Sequence, residues 1–238
     1  MRLNILLAYS LALFLPIASF AQLQVSPGIP AATLATSAFG NGITVQGTPV
    51  INCNAAQYGS FNNGLSSSLG FNSGLIMSTG NAAAAANPQT SNASNSIGAT
   101  FSDPQLTAIS AGATNDVCII TITIVPQCNT LALRFVFGSE EYPEFVGGNF
   151  NDVFGFFVSG ENPSGLAYDN YNVAQLPNGT PVSINSVNAN SNSGYYVNNA
   201  GNSMITYDGL TTVLLPVLDV VPCQPYVFKL AIADAGDS

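Results

Sequence analysis

The chain shows no sustained helical period, and that bounds its fold more tightly than any other feature. Apolar residues come in short runs rich in β-branched and aromatic side chains, each closed by Gly, Asn or Pro. Leu131, Leu133, Phe135 and Phe137 alternate with Ala132, Arg134 and Val136. Tyr226, Phe228, Leu230 and Ile232 alternate with Val227, Lys229 and Ala231. A period of two puts one set on each face of a strand. Strands are expected at 43–51, 75–79, 117–125, 130–137, 153–159, 182–187, 204–207, 211–218 and 225–233. The five alanines at 82–86 read as a low-complexity surface loop with at most one helical turn. Residues 101–110 read as a short helix, with Ser102 as cap and Pro104 in the first turn. The expectation is an all-β, jelly-roll-like β-sandwich with long Asn/Ser/Gly-rich loops and at most one or two short helices.

The first residues read differently. Arg2 precedes an apolar stretch from Ile5 to Ile17, and Ala-Ser-Phe-Ala at 18–21 supplies the small residues of a cleavage site. Residues 1–21 are therefore expected to be a secretory signal peptide, 22–37 a lead-in and 38–238 one β domain. No later stretch is apolar for long enough to span a bilayer as a helix. An exported protein, secreted or held at the cell surface, is expected. Without Arg2, only Arg134 and Lys229 face twelve acids, so the formal charge moves from −9 to −10. Such a surface repels nucleic acid, whose phosphates need clustered Lys and Arg.

Four cysteines in an exported chain suggest two disulfides. Cys118 and Cys128 bracket one extended run, IITITIVPQ. Their Cα atoms would lie roughly 25–30 Å apart at about 3.3 Å per residue, beyond disulfide reach. Two schemes remain: Cys53–Cys118 with Cys128–Cys223, or Cys53–Cys128 with Cys118–Cys223. A faint repeat favours the first. TITIVPQCNTLALRFVFGSEE and LLPVLDVVPCQPYVFKLAIADAGD both read strand, Val-Pro turn with cysteine, strand, acidic loop. Side by side, they would bring Cys128 to Cys223 at one end and the two acidic loops together at the other.

The first of those loops, GSEEYPEFVGGNFNDVFGFF at 138–157, holds four of the twelve acids. Solvated turns, a metal site and a catalytic pair all compete to explain it. Calcium takes six to eight oxygens. Glu140, Glu141, Glu144, Asn151, Asp152, Asp234 and Asp237 would supply them, although EF-hand spacing is absent. With no histidine, zinc and copper lack their usual ligand and hydroxyl or thiol nucleophiles lack their usual base. Two carboxylates could still hydrolyse a glycosidic bond. The chain has no Trp to stack a sugar ring, and nothing places Tyr142, Tyr195, Tyr196 or Tyr207 near the acids. GYYVNNAG at 194–201 offers amides and aromatics suited to glycan or protein contacts.

FVFGSEEYPEFVGGNFNDVFGFFVSG, LPNGTPVSINSVN, YDGLTTVL and YVFKLAIADAGDS together resemble the choice-of-anchor L domain. GNGITVQG, YGSFNNG and FNSGLIMSTGNA extend the resemblance from Ala38 to Ser238. It implies a β-rich module of bacterial exported and cell-surface proteins, used in adhesion or surface assembly, with no catalytic residues to carry over. Family members usually continue past DAGDS, so a downstream anchoring or sorting domain is expected. The reading is a non-enzymatic module that binds an extracellular protein or glycan, with calcium as a candidate stabiliser. A lectin-like domain and a carboxylate-dependent glycan enzyme are the alternatives.

Overall fold

The computed structural model describes residues 22–89, 96–98, 102–201 and 204–236. The expected signal segment at 1–21 and Asp237 lie outside the described residues. These residues form strands β1 (Gln24–Pro27), β2 (Ile43–Asn52), β3 (Tyr58–Asn62), β4 (Gly74–Met77), β5 (Thr114–Pro126), β6 (Thr130–Ala132) and β7 (Gly138–Ser139). They continue with β8 (Val153–Gly160), β9 (Tyr168–Asn172), β10 (Tyr196–Asn198), β11 (Gly209–Thr211), β12 (Val217–Asp219) and β13 (Tyr226–Ala235). Helices α1 (Ala31–Ala38) and α2 (Pro104–Ser110) complete an all-β sandwich.

One layer is a five-stranded antiparallel sheet in the order β2-β5-β13-β8-β9. Alternation sets its faces. Cys118, Ile120, Ile122 and Ile124 of β5, Tyr226 and Phe228 of β13, and Phe156 and Val158 of β8 enter the main core. Leu133, Phe135, Phe137, Leu214 and Leu218 meet them from the opposing layer. Phe135 lies 5.3 Å from Phe154, ring to ring. The opposing layer is broken. One part is the ladder β1-β3-β4, and the other aligns β6 and β7 along β12 and β11, with β10 outside. Between β6 and β7 the chain stays paired, because Leu133 N–H donates to Pro216 O at 2.9 Å and Phe135 N–H to Leu214 O at 3.1 Å.

The two helices pack on different sides of the large sheet. Leu34 of α1, fully buried, joins the main core, so part of the stretch expected to be a lead-in is structural. Helix α2 lays Leu106 on Val117, Val153, Phe157, Ala231 and Ala233, the outer face of the large sheet. Its cap is Asp103 rather than the expected Ser102. The Asp103 carboxylate accepts from Gln105 N–H at 3.0 Å and Leu106 N–H at 3.1 Å, satisfying donors that the first helical turn leaves open.

Two expected strands do not form. At 182–187 the apolar side chains are buried, but serines take over the backbone: Ser186 Oγ donates to Pro181 O at 2.6 Å and accepts from Ser183 N–H at 2.9 Å. Such local bonds compete with a ladder. Residues 204–207 form a loop instead. The alanine run makes a 3-10 turn whose Ala82 and Ala85 are buried, and Ala85 packs in a cluster with Ile205 and Leu210. It is not a surface loop, since alanine is small enough to pack close to other chain segments.

Candidate functional site

The break in the second layer opens a cleft of about 610 Å³ between β4 and residues 132–139. Phe154 and Phe156 of β8 and Leu230 and Ile232 of β13 line it from the large sheet, and Leu75 and Met77 from β4. These are alternating inward positions that the sequence marks as core. Among the described residues they line an open cleft instead. The cleft's charged side chains are Arg134, Glu140, Glu141, Asp152 and Asp234.

The carboxylates gather at one corner. Ser139 joins two of their segments, its hydroxyl donating to Asp152 Oδ2 at 3.0 Å and accepting from Glu141 N–H at 3.0 Å. The two acidic loops do meet: Ala235 N–H reaches Asp152 Oδ1 at 3.4 Å, and Asn151 N–H donates to Ala235 O at 3.1 Å. Asn151 is buried, and its amide bonds to Ser110 O at 3.3 Å and Asn185 N–H at 3.2 Å. The structure thus brings Glu140, Glu141, Asp152 and Asp234 to one cleft and gives Asn151 a tethering role. Glu144 does not line the cleft; its charge acts on Tyr196 and Asp208 instead. Among the described residues, no group of three or more Asp, Glu, Cys or His side chains is placed to hold a metal ion.

Tyrosines border this corner. Tyr142 is fully buried, 5.1 Å from Tyr196 ring to ring, and its phenol donates to Val187 O at 2.6 Å. Burial raises its pKa far above the ordinary range, with smaller contributions from Tyr196 and the Asp152 charge. Tyr207 is pushed up to about 12, by burial first and then by Glu140, while a bond with the Ser78 side chain works the other way. The buried carboxylates Asp116 and Asp208 were not singled out by sequence. Asp116 accepts from Ser96 Oγ at 2.8 Å and Ile97 N–H at 3.0 Å, and nothing in its neighbouring residues marks it.

The two basic residues of the described chain each lie against an aromatic ring. Arg134 sits over the Phe71 ring at 5.3 Å. Lys229, on the outer face, pairs with Asp103, donates to Gln105 Oε1 at 2.7 Å and lies 5.2 Å from the Phe157 ring. Of the cysteine schemes, Cys53–Cys118 forms, with Cα atoms 4.5 Å apart, which eliminates the second scheme. The expected Cys128–Cys223 bond is not formed, and both thiols are exposed. Their turns do meet, but staggered. Cys223 N–H donates to Pro126 O at 2.8 Å and Val220 N–H to Asn129 O at 2.9 Å, so Cys223 lies opposite Pro126 and not opposite Cys128.

The choice-of-anchor L domain model matches residues 28–238. The chain belongs to that family. No curated protein and no solved structure matches it. A choice-of-anchor L domain is a module of exported or surface proteins, of a non-catalytic domain type. Among the described residues, no helix is long and apolar enough to cross a membrane.

Proposed function

We propose that this choice-of-anchor L domain is a non-enzymatic recognition module acting outside the cell, in adhesion or surface-protein assembly, with the cleft as its contact site. The observation that carries the reading is the cleft itself, which combines many aromatic and aliphatic side chains with one Arg and four carboxylates. Pockets of this kind bind by burying apolar surface and orient their ligand with a few polar groups. Of the four tyrosines that could stack a sugar ring, only Tyr207 lines the cleft, so a protein ligand, which needs no stacking platform, is the reading adopted for it.

The test uses fluorescently labelled protein and the surface of the cells that export it. Saturable binding is expected. Leu75→Trp, which fills the cleft, should weaken it by about tenfold, equivalent to ~1.4 kcal/mol, with little change in melting temperature. Binding that is unsaturable, or equal in the variant, would remove the cleft from this role.

A further inference from the structure

Two rows of backbone groups face each other across the cleft. On one side, Ser78 N–H donates to Gln57 O at 2.8 Å, which makes these two a hydrogen-bonded pair. Antiparallel pairs alternate between bonded and non-bonded. Along the register Tyr58↔Met77, Gly59↔Ile76, Ser60↔Leu75, the N–H and C=O of Met77 and Leu75 therefore point away from β3. On the other side, Leu133 and Phe135 donate to Pro216 and Leu214, and Phe137 O accepts from Thr211 N–H. The intervening Arg134, Val136 and Gly138 turn their backbone groups the opposite way. All five residues line the cleft. Outside the ladders just described, none of the five makes a backbone hydrogen bond among the described residues.

The two edges also run in the same direction. Arg134 reaches Phe71 near one end, while Tyr207 packs beside Gly138 and bonds to Ser78 near the other. A single strand laid between them, running the opposite way, would be antiparallel to both. Its inward side chains would fall on Phe154, Phe156, Leu230 and Ile232. Its first residue would lie near Glu140, Glu141, Asp152 and Asp234, and its last near Arg134.

We infer that the cleft is an acceptor for one extended strand of another polypeptide, about five to seven residues long. The strand alternates apolar and polar side chains, starts with a basic residue and ends with an acidic one. This rests on reading the cleft as the recognition site and names its class of partner. A polypeptide is the one ligand that presents N–H and C=O on both sides at strand spacing. Once seated, it joins the two halves of the second layer into a continuous sheet.

The probe is the peptide Lys-Val-Thr-Val-Thr-Val-Asp, added to the full chain and followed by amide hydrogen exchange. Exchange at Leu75, Met77, Arg134, Val136 and Gly138 should slow by at least about tenfold at saturation. The same peptide with N-methylated valines keeps its side chains but loses donors, and should bind at least about tenfold more weakly. The reversed peptide, Asp-Val-Thr-Val-Thr-Val-Lys, should also bind more weakly. No protection at millimolar peptide, protection confined to other segments, or equal binding of the N-methylated form would overturn the inference. Equal binding of the reversed peptide would overturn the assigned polarity. Nile red separates this from the cleft reading: dye binding lost in Leu75→Trp but indifferent to peptide keeps the recognition site and removes the strand.

Discussion

The acidic corner sets unusual demands on its tyrosines. Tyr207 keeps its proton to about 12 because its phenol is withdrawn from water next to Glu140. In the unfolded chain the same group ionises near 10. From about pH 10 upward the unfolded state therefore binds fewer protons, and stability must fall as pH rises. The contribution is whole below pH 10 and is lost progressively up to about 12. Tyr142, shifted the same way chiefly by burial, adds to the slope. Urea denaturation at steps between pH 8 and 12 checks this. Tyr207→Phe should flatten the alkaline decline, and a decline as steep as in the parent would show that other groups carry it. Sequence names both tyrosines but assigns them to packing. Their coupling to the corner depends on Ser78, Val187 and Glu140, which lie far apart in the chain and give no local signal.

Among the elements, helix α2 shows which parts of a sequence are readable. Pro104 in the first turn and the apolar Leu106 mark the helix, and both hold in the structure. The cap falls at Asp103 because Pro104 takes the first helical position, and Lys229 adds an ion pair to that same carboxylate. Asp103 meets that ammonium on the outer face of the sheet, 126 positions away in sequence, while it also caps two backbone N–H groups. Long-range partners of this kind leave no trace in a local pattern. Strands are legible for the same reason in reverse: β5 and β13 alternate so regularly that burial alone fixes their faces. Short polar strands such as Tyr168–Asn172 and Tyr58–Asn62 lack that alternation and are recruited by neighbouring edges. Asp103→Ala removes the cap and leaves Lys229, with only 19% of its side chain exposed, without its carboxylate. A loss of about 1–3 kcal/mol is expected in chemical denaturation. Asp103→Asn, which keeps the cap oxygen, should recover part of it. No difference between the two variants would assign the whole effect to the ion pair.

At the scale of the whole molecule, sequence supplies the layers but not the break between them. A sandwich follows from alternating strands, and the meeting of the two acidic loops follows from the repeated hairpin pattern. The cleft does not, because an inward position reads the same whether it touches a side chain or an empty space. Calcium binding is a question of the same scale. Of the seven candidate oxygen donors, Asp237 lies outside the described residues; Asn151 bonds to Ser110 and Asn185, Asp152 takes Ser139 and Ala235, and Glu144 stands beside Asp208 and Tyr196. A corner held by hydrogen bonds should be indifferent to chelation. Thermal melts in excess chelator and in millimolar calcium are expected to coincide within about a degree, a shift worth only a few tenths of a kcal/mol for a domain of this size. Asp152→Asn keeps the side chain's size but weakens charge-assisted acceptance from Ser139 and Ala235, so it should lower the midpoint equally in both buffers. If calcium raised the midpoint by several degrees and Asp152→Asn erased that rise, the corner would be an ion site, its hydrogen bonds giving way to coordination.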